Sequence, residues 1–312
     1  LLIDCIRRFV VCYRAYPQHP SAQDYLDRCI VELCGEGLLL WMYHDPETLA
    51  NEPESVALGY DARTDLRKIS ALGTRFSEND LRRMIADNLF QKRLLPAYTS
   101  LKTHVESLRP ALVQLLKETL SNYKLFPDPR YLELVFRELV EETKLPWIDI
   151  DEKGRWTPIS SMGHFNPIAV LPEISTQLVA HGGDREQYDQ LSIRKAIAQR
   201  RHADQVSRYF HEISEFKSEN RRPEREIAIA IIRKIKAIYH FYPEASFLEL
   251  PYKELSDKGR IRWHALFLGT LPTRENHFEN QFYKFNYRFE LFEIKRLLEQ
   301  QYQEMERVLR EM

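Results

Sequence analysis

The stretch PRYLELVFRELVEETKLPWIDIDEKGRWTPI, residues 129–159, decides the fold because its hydrophobic period changes halfway along. In its first part Leu132, Val135, Phe136, Leu139 and Val140 recur at steps of three and four and so share one face of an α-helix. Asp128 before Pro129 supplies that helix with an N-cap and with a proline at its first position, where no helical donor is lost. Further on, Trp147, Asp149 and Asp151 alternate with Ile148 and Ile150, the chain turns at Glu152-Lys153-Gly154, and Arg155-Trp156-Thr157 resumes. That alternation predicts a β-hairpin over residues 147–157, the one convincing hairpin in the chain.

Helical grammar continues on both sides. Leu2, Ile6, Phe9, Val10 and Tyr13 make an amphipathic helix that Pro17 and Pro20 end. Ser21 with Asp24 reads as a capping box, followed by a second helix to about Met42, and Thr64 and Ser77-Glu78-Asn79-Asp80 read as further helix starts, with Gly73 a stop between them. Residues 44–64 lack periodicity and read as a loop, and Pro96 and Pro110, the latter at a first helical turn, mark further helices. C-terminal to the hairpin, one long polar helix is expected from Asp184 to about Lys217, and another from Pro223 through EIAIAIIRKIKAIYHFY. A shorter one lies near Ile261 to Leu268. In the last helix Phe278, Phe282, Phe285, Phe289 and Phe292 step by 4, 3, 4 and 3, and Leu298, Tyr302, Met305, Leu309 and Met312 repeat the pattern on an adjacent track, a heptad seam suited to a coiled coil.

The expectation is a mainly α protein: a multi-helix bundle or irregular helical array in two lobes with one small β-hairpin near the middle. Residues 1–145 form the N-terminal lobe, 146–172 the hairpin and connecting loop, and 173–312 the C-terminal lobe ending in a long amphipathic helix. No internal repeat of fixed period supports a regular solenoid.

The chain has 312 residues, 45 Lys plus Arg against 46 Asp plus Glu, and 44% hydrophobic residues. This is globular composition with no global field toward nucleic acids or anionic membranes. Cys5, Cys12, Cys29 and Cys34 show neither metal nor disulfide-framework spacing, so they read as reduced thiols of a cytoplasmic protein. The chain opens and closes inside helical patterns and lacks an initiator Met, which reads as a piece of a larger multidomain protein.

Residues Gly163-His164-Phe165-Asn166-Pro167 resemble the Asn-Pro-Ala loop of the aquaporin family over about seven residues, but nothing in the chain approaches the roughly 20 uncharged apolar residues of a membrane span. The segment reads as a turn opening the next element. HExxH, GxxxxGK[ST], GxGxxG after a strand and GxSxG are all absent, so no metal and no cofactor are expected. Two weak sites are left. His164, His181, Asp184 and Arg185 make an enzyme or anion-binding candidate if their loops meet, with Gly182-Gly183 offering backbone amides. Arg194, Arg201 and Arg208, seven apart, with Lys195 alongside, make a nucleic-acid candidate. The leading expectation is an interaction or regulatory module that engages a protein partner through its C-terminal helix.

Overall fold

The computed structural model describes residues 1–35, 41, 61–101, 105–159, 165–215, 222–261, 263 and 285–311, and these are mainly helical with one two-stranded antiparallel sheet. Helices α1 (Leu2–Ala15), α2 (Ala22–Leu33), α3 (Ala62–Ser70) and α4 (Glu78–Leu89) come first. A π-helical turn (Phe90–Leu94), α5 (Leu95–Ser100), α6 (Val105–Leu125) and α7 (Pro129–Val140) follow. After the hairpin come α8 (Pro167–Ala180), α9 (Arg185–Tyr188), α10 (Gln190–Glu215) and α11 (Arg222–Phe241). The described chain ends with a 3-10 turn (Ala245–Leu248), α12 (Glu249–Lys253), a second π turn (Glu254–Lys258) and α13 (Tyr287–Glu311). No helix among the described residues is long and apolar enough to cross a membrane.

Apolar side chains gather into two clusters. The smaller is built on Ile6, Leu26, Ile30, Leu33, Leu66, Ile69, Ile85 and Leu89; the larger runs from Ala86 to Leu298 and includes the helices on either side of the hairpin. Burying each large aliphatic side chain contributes about 1.5–3 kcal/mol, so the fully buried Leu139, Val135 and Ile235 carry much of the larger cluster. The clusters meet at α4. Leu81, Met84, Ile85 and Leu89 belong to the smaller one, while Ala86, Phe90, Leu94 and Tyr98 belong to the larger.

Element starts follow local chemistry, with some departures from expectation. The Ser77–Asp80 capping box forms in both directions, Asp128 accepts from Arg130 N, and Gly73 ends its segment at φ 87°. The Ser21/Asp24 box does not form: Ser21 lies at φ −91°, ψ 3°, and its hydroxyl caps nothing. Asp24 is instead turned to Arg75, 3.3 Å away. The third helix starts before Thr64 because Asp61, three residues earlier, accepts from Arg63 N and Thr64 N. Pro110 lies inside α6 rather than in its first turn. The long helix expected from Asp184 is broken at Asp189, which is extended (ψ 160°) and whose carboxylate accepts from Ser192 N as a new cap. Residues 36–60 other than Trp41, which include the end of the second expected helix, and most of the short helix near Ile261 fall outside the described residues.

The hairpin forms in the expected register, Ile148 to Pro158, Asp149 to Thr157 and Ile150 to Trp156, closed by Gly154 at φ 70°. A β-carbon at Gly154 would stand 2.9 Å from His240 Cβ, so this turn needs glycine for its approach to α11 as well as for its dihedral. Trp147, Ile148 and Ile150 are fully buried, and Lys234 on α11 reaches over the strand to Asp149 (2.7 Å) and the Ile150 carbonyl. The phenylalanine track of the last helix does not stay on one buried face. Phe285 is buried against Trp263, but Phe289 and Phe292 are 60% and 66% exposed, because the seam that packs runs through Tyr287, Ile294 and Leu298. Phe278 and Phe282 lie outside the described residues.

Candidate functional site

The glycine corner after α8 satisfies itself. Gly182 takes a left-handed φ of 87°, Gly182 N donates to Val179 O (3.0 Å), and Gly183 N donates to Leu178 O (2.9 Å), so both amides are spent on closing the helix. Asp184 caps α9 by accepting from Glu186 N, and α9 is a single turn. His181 Nδ1 lies 2.8 Å from the Gln177 carbonyl, and the ring meets Tyr123 edge-on. Arg185 is exposed and His164 lies outside the described residues, so the corner contributes His181, Asp184 and Arg185 as a solvent-facing turn. Among the described residues, no group of three or more His, Cys, Asp or Glu is placed to hold a metal ion.

The arginine row on α10 divides among three environments. Arg194 stacks on the Phe241 ring (4.7 Å) and reaches Trp156 (5.8 Å), Arg208 pairs with Glu212 on the surface (2.6 Å), and Lys195 is exposed. Arg201 is only 6% exposed and bonds Glu142, with Asp204 3.0 Å from its other terminal nitrogen. Seven-residue spacing puts these arginines on one stripe, but Arg194 packs against the hairpin and Arg201 against the turn after α7, which leaves Arg208 on the surface. Arg201 presents no guanidinium to a phosphate in solvent.

Sequence reading missed the polar knot around Arg201. Glu142, two residues beyond α7, sits at φ 51° in the left-handed region where glycine is usual, a cost on the order of 1 kcal/mol for a residue with a β-carbon. Its carboxylate accepts from Trp147 N (3.2 Å) and from Arg201, so the strained turn is held by an ion pair. One turn back, Glu138 accepts from Trp147 Nε1 (3.0 Å) and from the Thr143 hydroxyl. Burial pushes the Glu138 carboxyl above its ordinary range despite those donors, and burial lowers the Arg201 guanidinium. Arg109 stacks over the other side of Trp147 and donates to Pro146 O (3.0 Å). This knot locks α7, the hairpin and α10 together; its polar groups face one another, which is the arrangement of a structural joint.

Among the described residues two open features stand out. A groove of about 480 Å³ lies between α1 and α3, lined by apolar side chains such as Ile6, Val10 and Ile69, by the basic Arg7, Arg14 and Lys68 and by the acidic Asp61 and Asp65. Both helices pack on α2, and Tyr13 donates to the Leu72 carbonyl (3.0 Å) across the end of the groove. At the opposite end of the chain, every residue of α13 from Tyr302 to Glu311 is exposed, including Tyr302, Met305, Val308 and Leu309. The sequence signal for the groove was present in the Arg7–Arg14 spacing on the first helix, but a spacing alone does not say whether a neighbour fills the space between helices.

No family model matches the chain, and neither a curated protein nor a solved structure matches it.

Proposed function

We propose that this chain is a helical protein-interaction or regulatory module of a larger cytoplasmic protein and that the outer half of α13 is its docking element. The reading rests on one observation: the seam buried at Ile294 and Leu298 continues by steps of four, three and four through Tyr302, Met305 and Leu309 after the bundle ends. An amphipathic helix face that no other described residue covers is the form in which helices are offered to a groove or to a second helix. The four free cysteines suit a reducing compartment, and Cys29, buried with its thiol pushed up to about 12, is chemically inert.

Deleting residues 302–312 removes, among the described residues, exposed ones only and leaves Leu298 in place. The shortened chain keeps its helicity and thermal midpoint while losing association, read by light scattering and by capture of the partner that the full chain binds. Equal association with and without those residues removes this reading.

A further inference from the structure

We propose that the partner of α13 is a second copy of this chain, and that its outer half lies in the groove between α1 and α3 of that copy. The inference rests on the docking role of the helix proposed above and adds its occupant and its seat.

The two surfaces correspond in shape and charge. On a helical wheel Tyr302, Met305, Val308 and Leu309 form one apolar stripe; Glu304 and Glu311 line one edge of it, and Glu299 and Glu306 line the other. Each glutamate pair is seven residues apart, about 10.5 Å along the axis at 1.5 Å per residue. Arg7 and Arg14 are also seven apart on α1 and both line the groove, so the two helices carry opposite charges at the same interval; Arg7 already has a partner within its own chain, which a tail glutamate would replace. Reversing the direction of a helix exchanges its edges, and here either edge offers the pair. The arginines of the tail, Arg307 and Arg310, lie on the side away from the apolar stripe.

The acids on the α3 wall do not oppose this. Asp61 is engaged as the cap of α3, and Asp65 faces Lys68 at 3.5 Å. All four glutamates already pair within the helix, Glu304 and Glu311 with Arg307, Glu306 with Arg310 and Glu299 with Lys295, and because these pairs are more than half exposed at both ends they are readily exchanged. Ile6, Val10, Val11, Ile69 and Leu72 give the groove apolar contacts, and a volume of about 480 Å³ accommodates several side chains from a helix turn. Tail and groove are different surfaces, so the contact is heterologous: each copy offers one of each, and association continues beyond a dimer unless the rotation closes a ring.

The test is sedimentation velocity on the full chain up to about 100 μM, a range that populates contacts of ordinary transient strength. Two variants change only exposed positions: Val11→Glu in the groove wall, where Val11 is 63% exposed, and Met305→Glu/Leu309→Glu in the tail, where the side chains are 51% and 71% exposed. The wild-type chain sediments faster with rising concentration, and each variant alone stays monomeric. Mixing the two variants restores a one-to-one complex, since one intact groove then meets one intact tail, and Arg7→Glu/Arg14→Glu weakens wild-type association at least tenfold. A wild-type chain that is monomeric throughout overturns the inference. So does a tail-dependent association that ignores the groove substitutions, which would leave the docking role of α13 standing with another seat. Association indifferent to both tail and groove would remove both readings.

Discussion

Glu142 is held in a backbone conformation that suits glycine, and what holds it is a buried arginine. Removing one member of such a pair leaves the other charge without its partner, which costs more than the pair itself is worth. Glu142→Ala is therefore expected to destabilise the fold by about 3 kcal/mol in urea denaturation, even though the left-handed turn becomes no more strained. The double variant Glu142→Gln/Arg201→Met should cost clearly less than the sum of the single changes; strict additivity would mean that the two side chains do not act as a pair. Glu138 behaves differently because burial, not a charge, sets its proton affinity. Its folded carboxyl holds a proton to higher pH than the unfolded one, so native stability falls as pH rises from the unfolded carboxylate range near 4.3 through the folded value. Glu138→Gln keeps the acceptor for Trp147 and removes that loss, so the variant gains stability relative to wild type between pH 4 and pH 7. A stability difference that does not change over that interval would contradict the assignment. The arginine row shows where residue-level reading stops. The seven-residue repeat of Arg194, Arg201 and Arg208 was legible, but whether Arg194 meets an aromatic ring and Arg201 a carboxylate depends on neighbours far away in sequence, Phe241 and Glu142.

At the scale of elements, the signals that succeeded were those in which two kinds of local chemistry agreed. Helix α7 had both a five-residue apolar face and an Asp-Pro start, and all five of those residues are buried. The hairpin had alternation and a glycine at its turn. Where a single signal stood alone it was less secure: Ser21 and Asp24 had the right types for a box, yet Asp24 is drawn off by Arg75, a residue the local pattern does not contain. Replacing the cap of α7 is a direct check on the first case. Asp128→Ala removes the bond to Arg130 N and should cost about 1 kcal/mol, seen as a lower thermal midpoint by circular dichroism with unchanged helicity at 25 °C. The Glu254 carboxylate closes the second π turn by accepting from Arg260 N (2.9 Å), Ile261 N (2.8 Å) and the Tyr209 hydroxyl, and Gly259 lies so close that a β-carbon there would stand 2.6 Å from Glu254 Cα. Gly259→Ala should therefore destabilise by about 1–3 kcal/mol in urea denaturation; a neutral result would show that this turn yields easily.

For the molecule as a whole, the helical class was readable from composition and period, while the division of the core was not. Within α4, Ala86 belongs to the larger cluster while Leu81, Met84, Ile85 and Leu89 belong to the smaller, and period alone marks a residue as inward without saying toward which interior. Two clusters sharing one helix should lose their structure in separate steps. Leu26→Ala, in the smaller cluster, costs about 2–5 kcal/mol as a cavity. Its effect on native-state hydrogen exchange should concentrate on the amides of α1–α3, with the amides of α7 and α11 still protected. Uniform acceleration across both sets would show instead a single cooperative unit.

The π turn at Phe90–Leu94 can be considered as a setting of phase. Ala86, Phe90, Leu94 and Tyr98 are spaced by four, four and four, a series that drifts about 40° per step around an ordinary α-helix and would carry Tyr98 off the larger core. The wider i→i+5 turn absorbs that drift, so the four side chains stay in one line. The angle between the two cores is thus fixed by one surplus residue, and a deletion within 90–94 would act as a mis-set gear: every side chain after it would turn by roughly 100°, with the composition of both cores untouched.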